Sequence, residues 1–186
     1  MGIDTAIVDP ILKVDGNYIL IAEKGRNKIC LYIDNKLQYD VDDPDTVMSA
    51  ELSSNGDVVV VTDKSSYRGG ISVYNKSGEQ IFSWASGSDA VICADISAAS
   101  RSVAVALLNS DVTAKTTVQL FNVNETESYA KIEMPDTVVY ELQFVGDKVN
   151  AFGDNRVTGI SSSGKIVYDN DFSNVQLTHS AIDSNG

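Results

Sequence analysis

The stretch "SSNGDVVVVTDKSSYRGGISVYNKSGEQIFSW", residues 53–84, alternates turn signals with segments that are typical of β-strands. The run "DVVVVTD" is apolar without alternation, as expected for a strand that is covered on both faces. The segments "GISVYN" and "EQIFSW" are rich in β-branched and aromatic residues and partly alternate between apolar and polar side chains. The stretch therefore predicts short antiparallel strands and no helix.

The same order of turns and strands recurs along the chain. The turn before the apolar run returns at Gly16, Gly56, near Ser100 and at Gly146, with spacings of 40 to 46 residues. A second turn keeps the same period, around residues 35–36, 77–78, 125–126 and 163–164. A unit of four short strands that repeats with this period is typical of a β-propeller blade.

We therefore predict an all-β fold: a β-propeller-like array of four-stranded antiparallel blades in one domain, residues 1–186. The approximate blades are 6–43, 46–85, 90–134 and 138–172, with the start of a further blade at 175–186. About four blades plus one extra strand make a partial propeller or arc. The alternative is an antiparallel β-sandwich, which also contains short strands with regular turns.

An open arc leaves a blade face without a neighbour. A single blade has two apolar faces and cannot stay folded alone, because its stability comes from the interfaces with adjacent blades. We therefore expect possible self-association, in which the open blade face pairs with another copy of the chain.

The net charge of the chain is -12, and its sequence pI is about 4.3. Such a surface repels the phosphate backbone of nucleic acids and the headgroups of anionic lipids. No run of about 18 apolar residues occurs, as a membrane-spanning helix would require. We expect no nucleic-acid partner, and no membrane contact by this segment itself.

Three stretches, the first of them quoted at the outset, carry a resemblance to a known family: "SSNGDVVVVTDKSSYRGGISVYNKSGEQIFSW", "ADISAASRSVAVALLN" and "MPDTVVYELQFVGDKVNAFGDN". Through them, residues 19–172 resemble an uncharacterised family of Gram-positive bacterial proteins. In that family, an N-terminal membrane anchor precedes a WD40-like or quinoprotein-like propeller. The segment from Gly70 to Trp84 is the most specific part of the resemblance.

The resemblance implies an extracytoplasmic or cell-surface domain with no established activity. Its anchor would be a segment that is not present in this sequence, and the domain would be a fragment of a larger propeller protein. True WD40 repeats carry Gly-His and Trp-Asp pairs, whereas Trp84 is followed here by Ala85. The peptide-binding rules of that subfamily therefore do not apply to this chain.

The segment "YDVDDPDT" contains four carboxylates at short spacing: Asp40, Asp42, Asp43 and Asp45. Alternate carboxylates on an extended segment can surround a hard cation, since calcium takes six to eight oxygen ligands. The segment lacks the glycine and the distal glutamate of an EF-hand loop. It is a weak candidate for a calcium site, and the alternative is a solvated loop.

Tyr67 and Arg68 lie in the long loop between two predicted strands. Tyrosine and arginine dominate the energetic hot spots of protein interfaces, so both residues are candidates for contact with a partner. The alternative is a solvated loop with no binding role.

No catalytic constellation is visible. The single histidine, His179, has Ser180 and Asp183 near it in sequence, but a strand does not bring such neighbours into a catalytic triad. We predict no enzyme activity and no cofactor, and favour a binding or scaffolding module for an unknown protein, peptide or glycan. The alternative is a propeller enzyme, a hydrolase or a quinone-dependent dehydrogenase, whose active-site residues lie outside this sequence.

Overall fold

The computed structural model describes residues 7–111 and 113–173, which form four antiparallel sheets of four strands each. In every sheet the strands lie side by side in chain order, so each sheet is a meander. The described residues contain no helix, and hence none that is long and apolar enough to span a bilayer. The further blade predicted at 175–186 lies outside the described residues.

The strands have the following bounds. The first sheet contains β1 (Pro10–Asp15), β2 (Tyr18–Glu23), β3 (Lys28–Ile33) and β4 (Lys36–Asp42). The second contains β5 (Thr46–Leu52), β6 (Val58–Asp63), β7 (Gly70–Tyr74) and β8 (Gln80–Ala85). The third contains β9 (Ala90–Ile96), β10 (Ser102–Asn109), β11 (Lys115–Asn122) and β12 (Ala130–Pro135). The fourth contains β13 (Val139–Val145), β14 (Lys148–Gly153), β15 (Arg156–Ile160) and β16 (Ile166–Asp171).

Burial along the strands follows the apolar pattern of the sequence. In β6 every residue except Asp63 is buried, and all five residues of β7 are buried. These strands are covered on both faces, which explains why their sequences are apolar without alternation. The last strand of the fourth sheet, β16, is exposed along its whole length.

The turn that joins the first two strands of each sheet needs a residue with positive φ. Gly16, Gly56 and Gly146 fill that position in three sheets, with φ angles of 58°, 85° and 66°. Arg101 fills it in the third sheet, with a φ of 53°. Glycine adopts this conformation at little cost because it has no Cβ, whereas arginine does not.

Three hydrophobic clusters hold the four sheets in a row. One cluster joins the first sheet to the second, the next joins the second to the third, and the last joins the third to the fourth. The first strands of the sheets, β1, β5, β9 and β13, contact one another in succession. They form the inner edge of the row, and we call them the inner strands.

The two ends of the row differ from its middle. No hydrophobic cluster of the described residues joins the first sheet to the fourth. On β1, the side chains of Leu12 and Val14 are 60% and 64% exposed. Four sheets packed face to face in a row confirm the predicted propeller-like array and differ from the two facing sheets of a sandwich.

Candidate functional site

A cleft of about 410 Å³ opens where the four inner strands meet. Side chains from all four sheets line it, together with the turns that follow the inner strands. We call it the inner cleft. Because each sheet contributes the same strand, the cleft is a product of the repeat itself.

The register of the sheets places one polar residue at the same point of each inner strand. On the neighbouring second strand, Lys13 lies opposite Leu20, Glu51 opposite Val59, Asp95 opposite Ala104 and Gln143 opposite Asn150. These four pairs occupy equivalent positions in the four sheets. All four of these inner-strand residues line the cleft. A polar row along the inner edge is therefore a repeated feature of the fold.

Lys13 and Glu51 form an ion pair that bridges the first and second sheets. The Nζ atom of Lys13 lies 2.7 Å from Oε1 of Glu51, and both side chains are partly exposed. Burial raises the pKa of the Glu51 carboxyl group, and the hydrogen bond from Lys13 opposes that shift. The pair fixes the geometry of one wall of the cleft.

Asp95 connects the third and fourth sheets in a different way. The backbone N–H of Phe144, on β13, donates a hydrogen bond of 2.6 Å to Oδ2 of Asp95. Burial raises the pKa of the Asp95 carboxyl group to about 7, although hydrogen bonds from the backbone of Phe144 and Ile96 act against that shift. The charge on this wall of the cleft therefore changes near neutral pH.

Carboxyl groups outnumber cations along the cleft. Asp15, Glu51, Asp95 and Glu141 line it, and Lys13 is the cation among the described lining residues. The cleft can therefore accept hydrogen-bond donors and positive charge. The described residues hold no group of three or more His, Cys, Asp or Glu side chains that could bind a metal ion.

The structure separates the four carboxylates of the calcium hypothesis. Asp40 accepts a 2.6 Å hydrogen bond from Lys28, and Asp45 accepts a 2.9 Å hydrogen bond from Lys64. Asp43 is buried and serves as a structural acceptor. Its Oδ2 atom receives the hydroxyl of Tyr74 at 2.7 Å, and its Oδ1 atom receives the backbone N–H of Asp45 at 2.8 Å.

These contacts do not fit a calcium site. Asp42, the fourth member of the segment, lies exposed at the end of β4. Asp40, Asp43 and Asp45 are directed to partners on β3, on β7 and in the connection between β6 and β7. The segment therefore does not form one shell of oxygen ligands. The physical reason is that a lysine or a tyrosine satisfies each of these three carboxylates.

Tyr67 and Arg68 lie between β6 and β7, where both side chains are exposed. Backbone hydrogen bonds hold the loop in place: the N–H of Arg68 donates to the carbonyl of Ser86, and its carbonyl accepts from Val91. The two side chains are thus displayed from a fixed backbone, and their role in partner binding stays a prediction. The histidine considered above, His179, lies outside the described residues.

No single sequence motif points to the inner cleft. Its polar residues lie far apart in sequence, and none of them forms a motif by itself. A signal was nevertheless present, because each inner strand contains a polar residue between two apolar neighbours, in "LKV", "AEL", "ADI" and "LQF". Because the turns between the first two strands differ in length, only the strand register brings these four residues to one level.

The fold and the repeated cleft define the chain as an all-β repeat protein of the propeller type. It belongs to the family of unknown function DUF5711, which matches residues 3–182. The family therefore supplies no activity. No curated protein matches the chain.

Solved structures of similar fold share little sequence with the chain. The computationally designed Ika8 protein is 16% identical in sequence, with a TM-score of 0.65. The match covers 94% of this chain and 52% of the Ika8 chain. BamB from Moraxella catarrhalis is 12% identical in sequence, with a TM-score of 0.57. The match covers 89% of this chain and 52% of the BamB chain. Kluyveromyces lactis Hsv2p is 12% identical in sequence, with a TM-score of 0.58. The match covers 86% of this chain and 50% of the Hsv2p chain.

BamB and Hsv2p are β-propellers, so the likeness supports the propeller fold. At this level of identity it shows the fold alone. The chain spans about half the length of these solved structures.

Proposed function

We propose that the domain is a non-catalytic binding or scaffolding module, and that its inner cleft receives a positively charged segment of a protein or peptide partner. The observation that carries the proposal is the convergence of one polar residue from each of the four inner strands on a single cleft. A surface formed by several rigid strands holds its side chains in place, so binding loses little conformational entropy.

The chemistry of the cleft determines the kind of partner. Among its charged lining residues carboxyl groups outnumber the single lysine, and the whole chain carries a net charge of -12. The field of the protein therefore attracts cations and repels acidic partners before contact. Lysine or arginine side chains of a peptide satisfy both the charge and the hydrogen-bond acceptors of the cleft.

The resemblance to anchored propeller proteins supports a second part of the proposal. We propose that the domain acts outside the cytoplasm as part of a larger, membrane-anchored propeller protein. Its length, about half that of the similar solved structures, agrees with this. Limited proteolysis of intact source cells tests it: added protease should remove the domain, and complete protection until the cells are lysed would contradict the proposal.

Fluorescence anisotropy tests the binding site. The probe is a labelled peptide of alternating lysine and glycine, and a glutamate-glycine peptide is its charge-reversed counterpart. We expect the lysine peptide alone to bind, and Glu51→Gln to weaken binding about three- to tenfold by removing one charge from the cleft. Glu79→Gln, which removes the same charge at an exposed turn between β7 and β8, should leave the affinity nearly unchanged.

Two results would contradict the proposed site. Equal weakening by both substitutions would show that the peptide responds only to the net charge of the chain. Equal binding of the two peptides, or binding of neither, would show that the cleft does not select positive charge.

A further inference from the structure

A second cavity lies between the second and third sheets, at the edge opposite the inner strands. Its volume is about 370 Å³, which is within the range of small-molecule sites in proteins. Strands β8, β10, β11 and β12 line it, together with the connections at 86–89 and 126–128. We call this cavity the outer groove.

An aromatic side chain forms part of the outer groove. Trp84, on β8, is partly exposed and lines the groove, and it also packs on the hydrophobic cluster between the two sheets. Its ring centroid lies 5.0 Å from that of Phe121, which is buried on β11. By register, Val41 and Ile132 take the place of Trp84 in the first and third sheets. A tryptophan that the core holds in place offers a ring surface which need not be ordered when a ligand binds.

Polar side chains with both signs of charge lie beside this ring. Gln119, Glu127 and Lys131 line the groove, and their side chains form no hydrogen bond or ion pair with the part of the chain that the structure describes. The same holds for the indole N–H of Trp84. The groove therefore presents both donors and acceptors that the protein does not use for its own fold.

The other two sheet-to-sheet interfaces are closed at the equivalent position. By register, Ser72 and Thr158 stand in the second and fourth sheets where the third sheet has Gln119. Both are buried and are bonded within their own sheets: Ser72 accepts a 2.9 Å hydrogen bond from Gln80, and Thr158 donates one of 2.7 Å to Asp169. Gln119, in contrast, is partly exposed. The interface between the second and third sheets thus stays open at a level where the other two are filled.

Hydrogen bonds fix the connection that forms the rim of the groove. The backbone N–H of Ser86 donates to the carbonyl of Gly69, and the carbonyl of Ser86 accepts from the N–H of Arg68. The N–H of Asp89 donates to Oγ of Ser86 at 3.1 Å, and Oδ1 of Asp89 accepts a 2.8 Å hydrogen bond from Asn109. The rim is therefore formed before a ligand arrives, so that binding orders few additional groups.

The chemistry of the lining favours a neutral ligand that is rich in hydroxyl groups. An apolar ligand would leave the polar groups of the groove unpaired. A charged ligand would meet a like charge, since Asp89, Glu127 and Lys131 all line the groove. A pyranose ring with equatorial hydroxyl groups fits both features of the site. Its C–H bonds form flat faces that can contact an aromatic ring, and its hydroxyl groups, which donate and accept, surround those faces.

We propose that the outer groove binds a short neutral saccharide of gluco configuration, with one sugar ring against Trp84 and its hydroxyl groups bonded to Gln119 and Lys131. One ring contact and a few partly exposed hydrogen bonds give weak binding, with a Kd of about 1 mM. The proposal does not rest on peptide binding by the inner cleft, because the described lining residues of the two cavities are different.

The intrinsic fluorescence of the full chain tests the proposal, because Trp84 is the only tryptophan of the sequence. The probes are cellobiose and the acetylated disaccharide of chitin, whose ring substituents are equatorial. Sorbitol, which has a similar density of hydroxyl groups but no ring, is the control ligand. We expect at least one disaccharide to change the emission of Trp84 with a saturating dependence on concentration, and sorbitol to give no saturating change.

Two variants locate the saccharide in the groove. Gln119→Ala and Lys131→Ala each remove one polar group from the lining and should weaken saccharide binding about three- to tenfold. Gln38→Ala, at an exposed side chain of β4, is the matched control and should leave the affinity nearly unchanged. Circular dichroism checks that each variant keeps the fold.

Four outcomes would overturn the proposal. No saturating change with either disaccharide would show that the groove does not take a neutral saccharide. Equal changes with sorbitol would show an effect of the solvent alone. Unchanged affinity in both Gln119→Ala and Lys131→Ala would show that the sugar binds elsewhere. A saturating response of Trp84 to the lysine-glycine or glutamate-glycine peptide, with none to the disaccharides, would show that the groove binds a polypeptide.

The two proposed sites can be tested separately. The peptide at the inner cleft is followed by its own label, whereas the saccharide at the outer groove is followed by Trp84. Either proposal can therefore fail while the other stands.

Discussion

At the scale of single residues, Asp95 is the clearest example of a group whose properties are set by its surroundings. It lies on an inner strand, accepts a hydrogen bond from the neighbouring sheet, and has a pKa raised to about 7 by burial. The nearby Glu51 raises the pKa further and Lys13 lowers it. The free energy of unfolding should therefore depend on pH through this one carboxyl group.

We predict that Asp95 makes the protein less stable as the pH rises from about 4 to about 7. In this range the folded state holds a proton on Asp95 that the unfolded state has released, so raising the pH favours unfolding. The shift from 3.8 to about 7 sets an upper limit of about 4 kcal/mol for the loss. Urea unfolding of the wild type and of Asp95→Asn, measured at several pH values, checks it.

The asparagine variant is a close control because its side-chain oxygen can still accept the hydrogen bond from Phe144. The difference between the two free energies of unfolding should change steadily from pH 4 to pH 7 and level off above it. Two curves that stay parallel over this range would contradict a raised pKa for Asp95.

At this scale the sequence shows the types of residue but not the partners of each side chain. The carboxylates of Asp40, Asp43 and Asp45 are conspicuous because they lie close together in the chain. Their partners Lys28, Lys64 and Tyr74 lie on other strands or in another connection. Which group satisfies a carboxylate depends on how strands pair and sheets pack, and a local motif does not contain that information.

At the scale of elements, the turn between the first two strands of each sheet is the most regular signal. Glycine at Gly16, Gly56 and Gly146 made this turn predictable, because positive φ is a local property of one residue. The third copy was harder to place from sequence, since Arg101 occupies the position. The backbone carbonyl of Arg101 accepts a hydrogen bond from the N–H of Val123, and its own N–H donates to the carbonyl of Ser97. These two hydrogen bonds hold the arginine in the left-handed conformation.

We predict that Arg101→Gly is more stable than Arg101→Ala by about 1 kcal/mol. Both substitutions remove the ion pair between Arg101 and Asp57, which is 3.5 Å long, so their difference reports the cost of positive φ alone. For a chain of this size the melting temperature of the glycine variant should be about 2 to 4 °C higher. Thermal unfolding followed by circular dichroism measures it, and equal melting temperatures would show that the turn carries no strain.

At the scale of the whole molecule, the number of sheets could be predicted from the sequence, but the inner cleft could not. The repeat of apolar runs and turns predicts four units because each unit has its own local signals. The cleft arises only when Lys13, Glu51, Asp95 and Gln143 are placed at one level by the packing of different units. Which faces of the row remain open also depends on that packing.

The row of sheets makes a last prediction about where the molecule is most stable. Among the sheets that the structure describes, the second and third pack on neighbours at both faces, whereas the first and fourth pack on one neighbour each. In a linear array of units, local stability is set by the number of such interfaces. Amide hydrogens of the second strands β6 and β10 should therefore exchange at least about tenfold more slowly than those of β2 and β14.

The comparison is matched because all four are second strands, with hydrogen-bonded neighbours on both sides. The measurement should be made at low protein concentration, so that self-association does not protect β2 or β14. Equal protection in the four strands would show that the sheets unfold as one unit, and the row could then not be described as a sum of interfaces. Slower exchange in β6 and β10 would locate the stable centre of the molecule in its second and third sheets, with both open ends able to unfold first.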